Sequence, residues 1–482
     1  MRKSVLLAIF LINSSLIANP SFAIDKSQED IGIQCDNLAA QPLNSDNPAN
    51  VKGVEIEEIE SKQAIVVCQD AINDYPNILR YQYNLARVWD ADEQYDKAYK
   101  SYLMLANQGY SAAQLGLGVL YHHGSGVKQS YKEAMKWYQK SASQHHPIAF
   151  HNIAVLYFYG DGVPQSYKNA YTWFLKAAEG GYPDAQYQVG EMYADGNGVT
   201  ASPQKAEYWL TKAAENGLES SYYELGYKFD NGDGVPQSYE KAFRWYEAAI
   251  KQENPSAYNN LALLYMNGKG VPQSYAKAKT YFEKALELGN EKGAYNLALM
   301  YQNGKGVPQS SNKAVYYYKI AVAAGDASSQ TNLGRIYEKG DGVKQSYKEA
   351  FRLTKLAAEQ DDEVALYNLA YYYENGMGTK KSLKKGVEFY QKSAELGYRD
   401  AFNNLGVMYK NGEGVIKSYQ KAFENFQIAA NRNNAKAQAN LADLYLAGDG
   451  VSQSNEKAIY WYKRSAENGY DYAKEQLDSL KK

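Results

Sequence analysis

The chain has 482 residues, too many for one hydrophobic core, so it must fold as several domains or as an extended array. Hydrophobic residues at 45% and charged residues at 22% exclude wholesale disorder, and a formal charge of −2 leaves no electrostatic footprint for nucleic acid or an anionic membrane.

Residues 1–23 read as a secretory signal peptide: Arg2 and Lys3, an apolar stretch from Val5 to Ile12, then Ser21-Phe22-Ala23 as a small-x-small cleavage site. The mature chain is expected to begin at Ile24. Without Arg2 and Lys3 the 52 basic residues fall to 50 against 54 acidic ones, a charge of −4. No Cys follows the cleavage site, which argues against a lipid anchor, and no later apolar run approaches the ~20 residues a membrane helix needs. The expectation is an exported soluble protein, periplasmic or secreted.

Residues 24–76 form an N-terminal module outside the periodic part. It holds Cys35 and Cys68, a polar Asn-rich linker around Pro42 to Asn50, and a helix expected from Glu57 to Asn73. The two cysteines are either free thiols or one disulfide. The export signal favours the bridge, which by loop-closure entropy stabilises by about 3 to 4 kcal/mol.

Residues 77–110 imitate a helix pair, with Leu85, Ala86 and Trp89 on the first helix and Ala98 and Tyr102 on the second. The turn between them is short and lacks glycine, as in a tetratricopeptide-type pair, so this segment reads as a divergent starting repeat.

From 111 to 470 a Gly-x-Gly turn recurs every 36 residues, at Gly124, Gly160, Gly196, Gly232, Gly268, Gly304, Gly340, Gly376, Gly412 and Gly448. A spacing that never slips means each copy is one supersecondary unit stacked on the last. Upstream of the turn, residues such as Ala401, Leu405, Met408 and Tyr409 fall on one helical face. One position there is always Gly or Ala, from Gly118 to Ala442. Since glycine costs a helix about 1 kcal/mol, a packing reason is required, expected to be close approach of a neighbouring helix backbone.

The second glycine of each turn, as at Gly126 and Gly162, supplies positive φ. A Val or Thr then plugs the turn, Thr379 being the one threonine. A serine follows in every copy, from Ser130 to Ser454, placed to cap the second helix. Ser130 with Glu133 and Ser346 with Glu349 have capping-box spacing. The second helix carries large aromatics beside small residues, as in Ala134, Trp137, Tyr138 and Ser141. Gly181, Gly217, Gly289, Gly325, Gly397 and Gly469 close it. Residues 471–482 restate the first-helix stripe at Ala473, Leu477 and Leu480 with a charged outer face, as a C-terminal capping helix.

The motif A-x-x-x-L-G-x-x-Y-x-x-G-x-G-V, followed by K-A-x-x-W-Y-x-K-A-A, resembles the Sel-1-like repeat (SLR) family, kin of the tetratricopeptide repeats. Ala185 to Val199 and Lys241 to Ala249 carry the match, which spans about three quarters of the chain. The resemblance implies an all-α, right-handed α/α solenoid superhelix of antiparallel helix-pair repeats. It also implies adaptor roles in bacteria: assembling membrane-associated complexes, signalling across the envelope or contacting a host cell. Cys35-Asp36-Asn37-Leu38-Ala39, Gly53-Val54, Ala64-Ile65 and Cys68 are similar to a module that precedes such repeats in other exported bacterial proteins.

By analogy with tetratricopeptide grooves, the first helices line a concave wall whose partner-binding positions include Tyr187, Glu191, Tyr223, Tyr227, Tyr295, Arg335, Tyr367 and Tyr371. Tyrosine, of which there are 47, offers a rigid surface and a hydroxyl for recognition; the alternative is packing between adjacent helices. Asn152, Asn260, Asn296, Asn332, Asn368, Asn404 and Asn440 share one first-helix position. Their amides could bond an extended ligand or, as the favoured reading, join neighbouring helices.

No enzymatic chemistry is legible. His122, His123, His145, His146 and His151 cluster in the first two copies without a second ligand type at metal-site spacing, and Gly-x-Gly here follows no strand and precedes no Lys-Ser/Thr. No Ser, His and Asp set has a catalytic context. The reading is therefore a protein-interaction scaffold with protein partners, no cofactor and no catalytic residue. Alternatives are a cell-wall or β-lactam-directed hydrolase, as for the cysteine-rich branch of the resembled family, and a structural spacer. The hydrolase is weakened because those proteins carry a Cys pair in each repeat.

Overall fold

The structure, a computed structural model, describes residues 30–480, so the expected signal peptide and the expected start at Ile24 lie outside it. Among the described residues there are 25 α-helices, two short 3-10 segments and no strand, and within each compact unit helices adjacent in sequence pair in space. The chain is an all-α solenoid of helix pairs.

It divides into two compact units, residues 1–218 and 219–482. The first holds α1 (Ile31–Ala39), a 3-10 turn (Ile56–Glu58), α2 (Ser61–Asp74), α3 (Leu79–Ala91), α4 (Tyr95–Asn107) and copies one to three. The second holds copies four to ten and a last helix, Asp471–Ser479.

In the first unit α1 has no counterpart among the sequence expectations; Asp30 starts it by accepting from the Gly32 N–H at 2.7 Å. The expected helix from Glu57 begins only at Ser61. Ile59 is the reason: its extended backbone (φ −71°, ψ 117°) swings the side chain into the cluster around Cys35, Ala64, Cys68 and Leu85. Cys35 and Cys68 are joined, with Cα atoms 4.8 Å apart, and the bridge ties α1 to α2.

Copy nine, in the second unit, shows how one unit is built. Its first helix, Arg399–Asn411, ends at Gly412 in the left-handed region (φ 77°), whose N–H bonds the Met408 carbonyl. Gly414, also at positive φ, sits where a Cβ would lie 2.6 Å from the Leu383 carbonyl oxygen of copy eight, so the turn is pressed onto the previous pair. Ser418 then accepts from the Lys421 N–H at 3.2 Å and starts the second helix, Tyr419–Asn431. Ala401, Leu405 and Met408 bury one face of the first helix, and Ala422, Phe426 and Ala429 one face of the second.

Three expectations about the copies are corrected. The Gly-or-Ala position is kept small chiefly by a side chain of the paired helix rather than by its backbone alone: a Cβ at Gly226 would lie 2.6 Å from Tyr246 Cδ1 and one at Gly406 2.5 Å from Phe426 Cδ1, while at Gly190 the Leu210 backbone nitrogen, at 3.1 Å, adds to the Leu210 side chain. The capping boxes are half-formed. Ser130 and Ser346 accept from Glu133 and Glu349, but their own N–H groups go to Tyr121 and Tyr337 carbonyls, and the glutamates pair with Lys136 and Arg352. Ser202 alone among the ten serines makes no side-chain cap bond, with Pro203 occupying the first helical position.

Helix ends are secured by a device beyond those expectations. A glutamine just before the capping serine turns back onto the end of the first helix, as Gln273 Nε2 does to the Met266 carbonyl at 2.8 Å. Gln129, Gln165, Gln237, Gln309, Gln345 and Gln453 do the same, which satisfies a carbonyl that the helix end leaves open.

Candidate functional site

The eight wall positions expected from sequence fall on two registers of the first helix. Tyr187, Tyr223, Tyr295 and Tyr367 share one, and Glu191, Tyr227, Arg335 and Tyr371 the other, one helical turn later. The structure treats them differently.

Residues of the Tyr187 register are half-buried. In the second unit Tyr367 lies 5.4 Å from the Tyr390 ring and 5.1 Å from the Tyr398 ring, and its hydroxyl accepts from Asn404 Nδ2 at 3.2 Å. Tyr295 packs 6.3 Å from Tyr318. Burial raises the pKa of both Tyr295 and Tyr367. They are neutral donors and acceptors held between helices.

Three residues of the Glu191 register in the second unit face solvent, whereas Leu263, Leu299, Val407 and Asp443 at the same register are half-buried. Tyr227 is 47% exposed and Tyr371 42%, and Arg335 is exposed between them in sequence. Glu191, in the first unit, is half-buried.

The asparagine row bonds neighbouring helices. Asn296 Nδ2 donates to Asn259 Oδ1 at 3.1 Å and Asn440 Nδ2 to Asn403 Oδ1 at 3.0 Å, each reaching the preceding copy. Asn260 and Asn404 donate to the Tyr246 and Tyr390 hydroxyls at 3.1 and 3.0 Å. These amides are occupied within the protein.

The starting pair presents the same two registers, beyond what the sequence reading named. Tyr83 stands two residues before Leu85 as Tyr295 stands two before Leu297, and Arg87 two after it as Arg335 stands two after Leu333. Both are buried and both hold polypeptide. Arg87 donates from Nη1 to the Ala39 carbonyl and from Nη2 to the Val54 carbonyl, each at 2.8 Å, and the Tyr83 hydroxyl donates to Gln41 Oε1 at 2.7 Å. The signal was available: carrying the register two residues either side of Leu85 finds them.

The histidines do not converge, and among the described residues no group of three or more His, Cys, Asp or Glu is placed to hold a metal ion. His122 lies 3.3 Å from the Tyr138 hydroxyl, whereas His146 is buried and His151 half-buried with its Nδ1 enclosed, and desolvation lowers each to a pKa of about 4. No described helix is long and apolar enough to cross a membrane.

Comparison with known proteins places these features. The Sel1 repeat matches ten consecutive segments: residues 111–146, 148–182, 183–218, 220–254, 255–290, 292–326, 327–362, 364–398, 400–434 and 435–470. The chain is similar to c5321, a protective antigen of uropathogenic Escherichia coli strains displaying an SLR fold. The two are 33% identical, with 79% of this chain and 82% of that one covered and a TM-score of 0.61. It is also similar to a Sel1 repeat protein from Oxalobacter formigenes, at 27% identity over 64% of this chain and 90% of that one, with a TM-score of 0.54. No curated protein matches.

Proposed function

The chain belongs to the Sel1-repeat family, whose members are generally protein-interaction scaffolds, and from that premise we propose that it is an exported adaptor that captures a protein partner along the first helices of its second unit. The observation carrying this is the exposure of Tyr227, Arg335 and Tyr371 on one register, while the register beside it is tied up between helices. Exposed Tyr and Arg are the residue types that dominate binding energy at protein interfaces. Tyr227 and Arg335 are three copies apart; at about 10 Å between neighbouring helices, about nine residues of extended chain span them.

Export is supported by the Cys35–Cys68 bridge, because disulfides persist in oxidising compartments, and by the signal-like residues 1–23. That a relative is a protective antigen supports the same reading, with host contact among the roles open to this chain.

Pull-down from the native host with the full chain, against a Tyr227→Ala, Arg335→Ala, Tyr371→Ala triple variant, tests the proposal. Reproducible partners lost in the triple variant, with its circular dichroism unchanged, are the expected result. Equal capture by both proteins would remove the wall from consideration. Mass spectrometry of the mature protein should find its N-terminus at Ile24.

A further inference from the structure

Between α1 and α2 the chain leaves the helical array and returns to it. Val54 N–H bonds the Ala40 carbonyl at 2.8 Å, so residues 40–54 form a closed loop whose two ends meet at Arg87. The loop lies against the first helices. Asn44 Nδ2 donates to the Tyr110 hydroxyl at 3.2 Å, and Arg80 Nη1 to the Asp46 carbonyl at 2.8 Å. Pro42 and Leu43 face Tyr182 and Asp184, across a cleft that Leu218 also lines, so the loop reaches as far as copy three.

We propose that residues 40–54 are a strap bound in cis on a polypeptide-binding wall of the first unit, and that an extended, amide-rich partner segment binds there by displacing it. The proposal rests on the reading of the first helices as the binding surface and names the chemistry they recognise. Arg87 and Tyr83, at the two wall registers, read main-chain carbonyls and a side-chain amide, which is what an extended segment presents and a folded surface hides.

The strap is anchored at Arg87 and touches the array at its tip only through Asn44 and Asp46, with open space around those two bonds. Its far end accepts a charge-assisted bond from Arg87 at the Val54 carbonyl, and the same guanidinium holds the Ala39 carbonyl of α1, from which the strap departs. Its tip leaves a cavity of about 180 Å³ over Gly109–Ala112 and Gln144–Pro147, and the cleft toward copy three holds about 530 Å³. Leu43, at the tip, is 42% exposed and held at φ 58°, a conformation costly for a side chain with a Cβ. Beneath the tip His146 is 6% exposed with neither ring nitrogen bonded. An amide of an incoming segment can satisfy it.

The test uses the full chain and, as probe, a fluorescent synthetic peptide of residues 40–54. A tethered strap competes at millimolar effective concentration, so the intact protein should bind the probe weakly. Replacing residues 41–53 with a short Gly-Ser turn, which frees both Tyr83 and Tyr110, should tighten binding at least tenfold, and adding Tyr83→Phe with Tyr110→Phe should reverse the gain. A cooperatively melting excised variant that shows no saturable binding overturns the proposal. Should the excised variant fail to fold, a protease site placed between Asn50 and Val51 opens the strap in the folded protein. Cleavage must then produce probe binding, and its absence is equally fatal. Probe binding lost in the Tyr227, Arg335 and Tyr371 variant would locate the peptide on the second unit, which sinks the strap while leaving the adaptor reading intact. Partner capture failing while the probe still binds does the reverse.

Discussion

Asn404 donates to the Tyr390 hydroxyl at 3.0 Å, and that hydroxyl donates onward to Glu374 Oε2 at 2.7 Å. The chain of three joins the first helix of copy nine to both helices of copy eight, and Asn260, Tyr246 and Asp230 repeat it four copies earlier. Where the second helix carries Phe instead, as at Phe282 and Phe426, the residue matching Glu374 is Met266 or Lys410, neither of which offers a carboxylate or other oxygen acceptor.

Tyr390→Phe should therefore destabilise the second unit by about 1 to 2 kcal/mol, the usual consequence of leaving buried polar partners unmatched. Phe426→Tyr should not repay it, because its hydroxyl would arrive opposite Lys410 in a fully buried site. Urea midpoints of the two variants decide it; a Phe426→Tyr protein as stable as the parent would mean that the pairing is incidental.

The helix pairs were legible because each copy states its turn, cap and small residue in the same register; turn and cap answer to backbone geometry, and the small residue to the ring or side chain facing it from the second helix of its own copy. Which first-helix positions face solvent was only half legible. Tyr367 and Tyr371 look alike in sequence, yet one is wedged between the Tyr390 and Tyr398 rings and the other faces solvent. That difference depends on what the second helix of the same copy and the turn after it bring against each position, which helical periodicity does not report. The N-terminal module was less legible still. Its loop is held by Arg80, Tyr83, Arg87 and Tyr110 from other elements, so composition around Pro42 to Asn50 reads as a linker although the segment is folded.

Second helices end on a left-handed residue, supplied by glycine at Gly181, Gly217, Gly289, Gly325, Gly397 and Gly469 but by His145, Glu253, Asp361 and Asn433 in the other four copies. A residue with a Cβ pays roughly 1 to 2 kcal/mol for that conformation, partly offset by the chain entropy glycine loses. Glu253→Gly and Asp361→Gly should each raise stability by about 0.5 to 1 kcal/mol. Thermal melts showing a fall in either variant would contradict the assignment of strain there.

The Cys35–Cys68 bridge closes a sequence separation of 33 residues. Loop-closure entropy for that length is worth about 3 to 4 kcal/mol. Denaturation of Cys68→Ala, or of the native chain in reductant, should show a loss of that size. The same reductant should leave the stability of Cys68→Ala unchanged, and a further loss there would trace the effect to something other than the bridge.

His151 occupies the Tyr187 register of copy two, with its ring 5.2 Å from Phe174 and 5.0 Å from Tyr182 and its Nδ1 buried without a partner. Burial holds its pKa at about 4, whereas the unfolded chain protonates it near 6.5. Between those values the unfolded state carries the extra proton, so this histidine's contribution to stability falls as pH drops from about 6.5 to about 4 and is constant below that. His146, lowered to about 4 by burial as well, acts in the same direction. His151→Phe keeps the ring contacts and removes the titration. The variant and the parent should be close in stability at neutral pH, with the variant ahead by about 2 kcal/mol near pH 4.5. Urea titrations at the two pH values read the difference directly, and a gap that does not widen on acidification would mean that His151 is solvated in the native protein.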